Sequence, residues 1–266
     1  MICFPNAKIN LGLRVVGRRA DGYHNIESVF IPLPLRDALE VVPSDTDEFH
    51  LSGIMLDAAS GDNLVVKAWR LFASMYPLPP LAVYLRKVIP FGAGLGGGSS
   101  DAAFMLKLLN NYANTGLSQE KLEEMAGLLG ADCPFFIHNY PLLVSGTGNR
   151  FENITLSLNG YTVVLVKPDI FISTKEAYSL VRPETPAVPL AEIISKPVSE
   201  WKESLVNDFE LPIFREYPQI SAIKDTLYDH GACYAAMSGS GSAVFGLFKQ
   251  NVQVHFPGCF VWKGTW

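Results

Sequence analysis

A glycine-rich stretch at residues 90–101, with the sequence PFGAGLGGGSSD, constrains this 266-residue chain more than any other feature. It follows an apolar run typical of a strand, at 81–88, and precedes a pattern typical of a helix, at about 100–110. Its five closely spaced glycines leave backbone N–H groups uncovered, and the start of the following helix carries a partial positive charge. This stretch, the first glycine loop, therefore predicts a phosphate-binding site.

Other glycine motifs fit the first glycine loop less well. Gly92, Gly94 and Gly97 match the dinucleotide pattern G-x-G-x-x-G, but that pattern requires a βαβ unit, whereas two helical patterns follow the loop here. A Walker A loop ends in Gly-Lys-Ser/Thr, and this loop ends in Gly-Ser-Ser. The glycine loop of protein kinases is a hairpin between strands with companion motifs that are missing here. A structural glycine turn without a ligand is the remaining alternative.

Composition and charge exclude several classes of protein. A net charge of −5 and a pI near 5.6 argue against a nucleic-acid partner, which needs clustered Lys and Arg. An uncharged run at 231–248 contains too many glycines and serines for a membrane span. Pro5, Asn6 and Lys8 interrupt the first apolar residues, so we expect no signal peptide and no membrane partner. The sequence does not indicate an oligomeric state.

The four cysteines are far apart in the sequence and form no C-x-x-C pair: Cys3, Cys133, Cys233 and Cys259. Neither a zinc site nor a disulfide framework is therefore indicated. We expect free thiols and a cytoplasmic protein.

The order of predicted elements indicates an α+β fold, because strands and helices do not alternate regularly. Strands are predicted at 7–15, 24–30, 37–42, 48–52, 81–88, 142–144, 161–166, 233–237, 243–248 and 259–266. Helices are predicted at 63–76, 100–110, 119–129, 203–217 and 219–230. We expect two domains, residues 1–155 and 156–266.

Phosphoryl transfer also needs a cation and a group that takes a proton from the acceptor hydroxyl. Lys8 lies in an apolar strand, where a lysine ordinarily points into solvent. Asp132 stands between two apolar runs, and it could cap a short helix that has Pro134 in its first turn. Beside an ammonium group, such a carboxylate would instead stay ionised and accept a proton.

Two further motifs allow either a purely structural or a ligand-binding interpretation. Residues 237–243 contain a second glycine loop, with Ser238, Gly239, Ser240 and Gly241, which is either a simple hairpin loop or a second phosphate contact. Tyr23 and His24 follow a turn, where they are either ordinary surface residues or stack on a base or ring of a ligand.

Together these motifs resemble the GHMP small-molecule kinases, a family that includes galactokinase, homoserine kinase and mevalonate kinase. The first glycine loop resembles the central motif of that family, and residues 237–245 resemble its C-terminal glycine motif. Segments 7–13, 18–24, 130–136 and 207–210 resemble the branch that phosphorylates a cytidine diphosphate-linked methylerythritol in the non-mevalonate isoprenoid pathway. The resemblance spans nearly the whole chain in the expected order.

The resemblance implies a kinase that transfers a phosphoryl group from ATP, with Mg²⁺, to the 2-hydroxyl of 4-diphosphocytidyl-2-C-methyl-D-erythritol. It implies an N-terminal domain like the second domain of ribosomal protein S5 and a ferredoxin-like C-terminal domain. Asp132 would be the general base and Lys8 its charge partner.

The resemblance also implies ligand-binding residues. Those for ATP, with Asn63 and Lys87 near the adenosine, are Asn63, Lys87, Pro90, Gly92, Gly94, Leu95, Gly96, Gly97, Gly98, Ser99 and Ser100. Ser99 is also the candidate magnesium ligand, by its position in the loop. Those for the cytidine diphosphate part of the substrate are Asn10, Tyr23, His24, Phe30, Thr174 and Tyr178.

Three alternatives to this function stay open. The chain could be a GHMP kinase of the homoserine or mevalonate type, or a relative that binds a nucleotide without catalysis. A dinucleotide-dependent oxidoreductase is the third alternative.

Overall fold

The computed structural model describes residues 1–54 and 63–266. This part of the chain forms two compact units, each assembled from three segments. The first unit contains the described residues of 1–7, 35–91 and 96–140, and the second contains 8–34, 92–95 and 141–266. The expected division into domains 1–155 and 156–266 stays a prediction.

The strands of the described residues are β1 (Ile2–Cys3), β2 (Asn6–Arg18), β3 (His24–Arg36), β4 (Ala38–Pro43), β5 (Glu48–Gly53), β6 (Leu81–Lys87), β7 (Leu142–Gly146), β8 (Arg150–Asn153), β9 (Thr162–Lys167), β10 (Tyr234–Met237), β11 (Val244–Phe248) and β12 (Phe260–Thr265). The α-helices are α1 (Leu64–Met75), α2 (Gly97–Tyr112), α3 (Gln119–Gly127), α4 (Cys133–His138), α5 (Thr174–Leu180), α6 (Leu190–Ile194), α7 (Glu210–Glu216) and α8 (Pro218–Asp229).

The first unit contains a four-stranded sheet with the strand order β1-β4-β6-β5. Strands β5 and β6 are parallel, and the other neighbours are antiparallel. Helix α1 has an apolar face that includes Val65, Trp69 and Phe72, and it packs against α2. Strand β6 leads directly into the first glycine loop, and α2 follows it. The positions of these two packed elements therefore fix the two ends of the loop.

The second unit contains two four-stranded sheets, with the orders β2-β3-β7-β8 and β10-β11-β9-β12. Helix α8 packs on β10 and β11, and its buried Ile220 and Leu227 join the core of the unit together with Val164 and Val244. The second glycine loop connects β10 to β11, in which Met237 pairs with Val244. The prediction of a strand, a tight loop and a strand is therefore correct.

The predicted helix at 203–217 is wrong in its first half, because α7 begins only at Glu210. Residues 203–209 form turns, and Asn207 makes an isolated parallel bridge with Leu13. Asn207 and Asp208 accept hydrogen bonds from backbone N–H groups, which competes with helix formation. The sequence also predicted α2 too late, since the helix begins at Gly97, and it gave no sign of the short strands β1 and β8.

In the part of the chain that the structure describes, no helix is both long enough and apolar enough to cross a bilayer.

Two glycines with the same left-handed backbone test how tightly β5 packs beside β6. Gly53 has φ 86°, and a Cβ there would lie 2.1 Å from the carbonyl oxygen of Lys87. Gly22 has φ 87°, and nothing lies within 4 Å of the same position. We expect Gly53→Ala to lower the free energy of unfolding by about 3 kcal/mol, from strain plus collision, and Gly22→Ala by about 1 kcal/mol, from strain alone. Equal losses in urea denaturation would contradict this account.

Candidate active site

Within the second unit, the two glycine loops lie against each other. A Cβ at Gly94 would lie 1.9 Å from the carbonyl oxygen of Ser238, so only glycine allows this approach. The Ser238 hydroxyl donates to the Gly94 carbonyl at 3.0 Å. The Ala243 N–H donates to the Ala93 carbonyl at 3.3 Å. The second glycine loop is therefore more than a hairpin turn, because it supports the backbone of the first.

Strand β2 buries Lys8 in the second unit, where this side chain is 3% exposed. Its ammonium group donates to Oδ1 of Asn10 at 2.6 Å and lies 4.6 Å from the ring centroid of Phe30. Nδ2 of Asn10 donates in turn to the Ser28 hydroxyl at 3.0 Å. A buried ammonium requires such partners. The interpretation of Lys8 as a solvated surface lysine is wrong.

Within the first unit, α2 begins directly in the glycine loop. Its N-cap is Gly96 with φ 68°, and its 16 residues are long enough for the helix dipole to favour an anion at this end. A Cβ at Gly97 would lie 2.9 Å from the side chain of Ile89. The hydroxyl of Ser100 is buried and has no hydrogen-bond partner among the described residues.

The first unit also contains a buried ion cluster, Asp37–Lys87–Asp101, which the sequence did not reveal. The Lys87 ammonium donates to Asp37 and, at 2.6 Å, to Asp101. All three side chains are less than 5% exposed. Oδ1 of Asp37 also accepts the N–H groups of Val88 and Ile89. The cluster thus ties the end of β6 to the first turns of α2.

Burial and charge act against each other in this cluster. Burial lowers the pKa of Lys87, but the carboxylates of Asp101 and Asp37 outweigh it, so the pKa is raised. Burial raises the pKa of Asp101 to about 7, although Lys87 opposes the shift. Lys87 was expected near the adenosine, and that contact stays a prediction. Its ammonium group is directed at the two carboxylates.

Asp132 occupies the N-cap position of α4, with Pro134 in the first turn. Its side chain makes no capping hydrogen bond, so the interpretation as a simple helix cap is wrong. The same turn approaches the first glycine loop, since a Cβ at Gly130 would lie 3.3 Å from Sγ of Cys133 and 4.0 Å from the hydroxyl of Ser99. The first unit thus places Ser99 close to the turn that carries Asp132.

The residues expected to bind the substrate lie in the second unit, but they do not form one group. Asn10 and Phe30 are buried beside Lys8, whereas His24 and Tyr178 form an aromatic stack near exposed side chains.

The rings of His24 and Tyr178 stack at 4.9 Å with an interplanar angle of 18°. Phe209 meets Tyr178 edge-on at 4.9 Å. Tyr23 is 69% exposed, and Thr174 is the exposed first residue of α5, one turn before Tyr178.

Two further residues expected to bind ATP, Asn63 and Pro90, lie in the first unit. Oδ1 of Asn63 caps α1 by accepting the Val65 N–H at 2.9 Å. Pro90 is buried at the start of the first glycine loop. Neither contact tests the expected role in ATP binding.

Sequence reasoning missed four polar residues at these sites: Asp37, Asp101, Asn207 and Glu210. Asp101 ends the glycine motif, and Asn207 and Glu210 belong to the 207–210 segment, so a signal was present for three of them. For Asp37 no such signal was present in the sequence, because its partner Lys87 is 50 residues away.

Comparison with known proteins shows to which family this chain belongs. Residues 63–140 match the family model described as GHMP kinases N terminal domain, and residues 190–254 match the one described as GHMP kinases C terminal. The chain belongs to the GHMP kinase family. The predicted α+β, two-domain GHMP kinase architecture and the predicted small-molecule kinase are confirmed.

Individual GHMP kinases are similar to this chain over nearly its whole length. A Parabacteroides distasonis protein named 4-diphosphocytidyl-2-C-methyl-D-erythritol kinase is 58% identical, with 99% of each chain covered. A Bacteroides fragilis protein of the same name is 55% identical, over 96% of this chain and 94% of that protein. A crystal structure of 4-(cytidine 5'-diphospho)-2C-methyl-D-erythritol kinase has a TM-score of 0.81 and 34% identity, covering 93% of this chain and 90% of that one.

The pKa of Asp101 gives a test of the ion cluster. Because the folded pKa of about 7 lies above the ordinary aspartate value of 3.8, the favourable contribution of this group is complete below pH 3.8 and is lost as the pH rises through 7. Asn at this position cannot ionise. We therefore expect the free energy of unfolding of the wild type, relative to Asp101→Asn, to fall by about 2–3 kcal/mol between pH 5 and pH 8. Denaturant titrations across this range that show a constant or rising difference would count against the assignment.

Proposed function

We propose that this chain transfers the γ-phosphoryl group of ATP to the 2-hydroxyl of 4-diphosphocytidyl-2-C-methyl-D-erythritol, a step towards isoprenoid precursors in the non-mevalonate pathway. The observation that carries the proposal is the 58% identity, over 99% of both chains, to a kinase named for that substrate. Glycine loops with left-handed backbones and a buried lysine on β2 support the same chemistry.

We assign the ATP phosphates to residues 92–100 of the first glycine loop. Left-handed glycines in a tight loop and the N-terminus of α2 both present backbone N–H groups to an anion. The second glycine loop is a further candidate contact, because the hydrogen bonds of the described residues leave the N–H groups of Gly239 and Ser240 unused. Asn63, at the start of α1, is assigned to the adenosine side.

In the proposed reaction, the Asp132 carboxylate accepts the proton of the substrate hydroxyl. The hydroxyl oxygen forms a bond to the γ-phosphorus while the bond to the β-phosphate oxygen breaks, and ADP leaves. Lys8 stabilises the ionised base and the charge that develops on the phosphoryl oxygens. Burial of its ammonium supports this role, because a charge with little water around it acts more strongly than one in solvent.

We assign the cytidine diphosphate part of the substrate to the His24–Tyr178 stack. A pyrimidine ring is planar and suits a site that already holds two rings 4.9 Å apart. In this assignment the exposed Tyr23 covers the base and Thr174 offers a polar contact. Asn10 and Phe30, which are assigned to the same part of the substrate, are buried beside Lys8.

Magnesium would be held chiefly by the ATP phosphates, where it neutralises charge on the transferred group. Ser99 is the candidate protein ligand, since a hydroxyl oxygen suits this ion and the residue lies in the first turn of α2, close to the turn of Asp132. Among the described residues, no group of three or more His, Cys, Asp or Glu side chains is arranged to hold a metal ion.

We also propose that the protein acts in the cytoplasm. All four cysteines are free, as expected in a reducing compartment.

Replacing the proposed base should separate catalysis from ATP binding. We expect Asp132→Asn to lower kcat by about 10²–10⁴-fold, because proton transfer is lost, and to change the affinity for ATP less than about threefold. Release of ADP in a coupled spectrophotometric assay gives kcat, and calorimetry gives the affinity. Asp225→Asn, an exposed carboxylate on α8, is the matched control and should keep wild-type kinetics. Near-normal turnover by Asp132→Asn would remove the base from this account.

A substrate panel tests the function itself. Cytidylylated methylerythritol, homoserine and mevalonate are offered separately with Mg-ATP, and we expect turnover with the first alone. Turnover with homoserine or mevalonate would make the chain another type of GHMP kinase. Binding of ATP without turnover on any acceptor would indicate a relative without catalysis.

A further inference from the structure

The segment Asn207-Asp208-Phe209-Glu210 has no part in the chemistry described so far, yet its polar side chains are almost fully occupied. The carboxamide of Asn207 is 3% exposed, and its Nδ2 donates at 2.8 Å to the carbonyl oxygens of both Met237 and Gly239. Its Oδ1 accepts the N–H of Phe209 at 3.0 Å. The side chain of Asn207 thus binds both Met237, which precedes the second glycine loop, and Gly239 within the loop.

Glu210 binds the other backbone group of Met237, at the end of β10. Its Oε1 accepts the N–H of Met237 at 2.8 Å, and its Oε2 accepts the ammonium of Lys224 at 2.7 Å. Burial raises the pKa of Glu210, with Lys224 and the Met237 N–H opposing the shift. The backbone of Met237 therefore has its N–H fixed by Glu210 and its carbonyl fixed by Asn207.

The other side of the segment is bound to β2. Oδ2 of Asp208 accepts the N–H of Val15 at 2.7 Å, and the N–H of Asp208 donates to the Leu13 carbonyl at 2.8 Å. Strand β2 is the strand that carries Lys8 and Asn10.

These bonds form a closed circuit within the second unit. From β2 the circuit passes through residues 207–210 to the second glycine loop, and from there through the Ser238 hydroxyl to the carbonyl of Gly94. It returns to β2 because the N–H of Lys8 donates to the Leu95 carbonyl at 2.9 Å. A shift of the second glycine loop would therefore move residues 93–95 of the first.

We propose that Asn207 and Glu210 are positioning residues for phosphoryl transfer, which hold the second glycine loop and, through it, residues 93–95 of the ATP loop. The proposal rests on the proposed function only in placing ATP at the first glycine loop. A carboxamide suits position 207 because it donates two hydrogen bonds and accepts a third. An aspartate of the same shape would bring a carboxylate oxygen within 2.8 Å of two carbonyl oxygens.

Asn207→Asp is the test variant, and the chain offers a matched control in Asn110. Oδ1 of Asn110 accepts the N–H of Leu117 at 2.9 Å and the hydroxyl of Thr115 at 2.7 Å, and its Nδ2 donates to the Leu117 carbonyl. Asn110→Asp therefore disturbs a similar network, at the far end of α2 from the glycine loop. A purely structural role would make the two variants alike in kinetics.

The affinity for ATP without an acceptor is measured by calorimetry, with kcat, KM and the melting temperature measured on the same preparations. We expect Asn207→Asp to weaken ATP binding by about tenfold or more and to lower kcat/KM for ATP by about 10²-fold in a folded enzyme. Asn110→Asp should lose thermal stability and stay within about twofold of the wild type in both quantities. Glu210→Gln, which keeps an acceptor for the Met237 N–H, should retain more affinity than Glu210→Ala.

Folded Asn207→Asp with wild-type ATP affinity, or equal losses in the two aspartate variants, would overturn the proposal. Should Asn207→Asp fail to fold, Ser238→Ala tests the next link, since it removes the bond to the Gly94 carbonyl, and unchanged ATP affinity would then contradict the circuit. If the wild type binds ATP but does not phosphorylate the cytidylylated substrate, the proposed function is wrong, while the ATP affinities of the variants still decide the role of Asn207.

Discussion

A loop built largely from glycine does not hold its own shape, so other parts of the structure must fix the first glycine loop. Glycine lets backbone N–H groups approach an anion, but it has the largest conformational freedom of any residue and no side chain to pack. The order must come from neighbouring parts of the chain. In the first unit the Asp37–Lys87–Asp101 cluster fixes the strand before the loop and the helix after it. In the second unit, residues 93–95 are bonded to the second glycine loop and to β2.

The support in the first unit depends on buried charge, which is stabilising only when each charge is paired. Removing one partner of a buried ion pair costs about 3–5 kcal/mol, because the other charge is left without compensation. Lys87 lies between two carboxylates, whereas Lys8 has the amide of Asn10 and the ring of Phe30 among its neighbours. The position of Lys87 between two carboxylates fits a structural role, and the catalytic role of Lys8 is a proposal.

Local patterns in the sequence predicted the glycine loops, most strands and the long helices, because alternation, helical spacing and glycine clusters act over a few residues. The partners of polar side chains were not predictable in this way. Lys87 binds Asp37 across 50 residues, and Asn207 binds the carbonyl of Met237 across 30. For the same reason residues 203–209 were predicted as helix, since only the tertiary fold shows that Asn207 and Asp208 bind backbone groups instead. Lys8 and Asp132 stood out by their apolar neighbours in the sequence, but a surface lysine and a helix cap stayed open as alternatives until the structure showed their surroundings.

The position of the phosphoryl group on the product tests the central claim most directly. Carbon 2 of the methylerythritol unit carries the methyl branch and no hydrogen, so a phosphate on its hydroxyl has no proton three bonds from phosphorus. After incubation with ATP, magnesium and the cytidylylated methylerythritol, we predict that a proton-coupled ³¹P spectrum gains one phosphomonoester signal without splitting by hydrogen. A doublet or triplet would place the phosphate on a neighbouring hydroxyl, and the absence of a new phosphomonoester would contradict the assigned reaction.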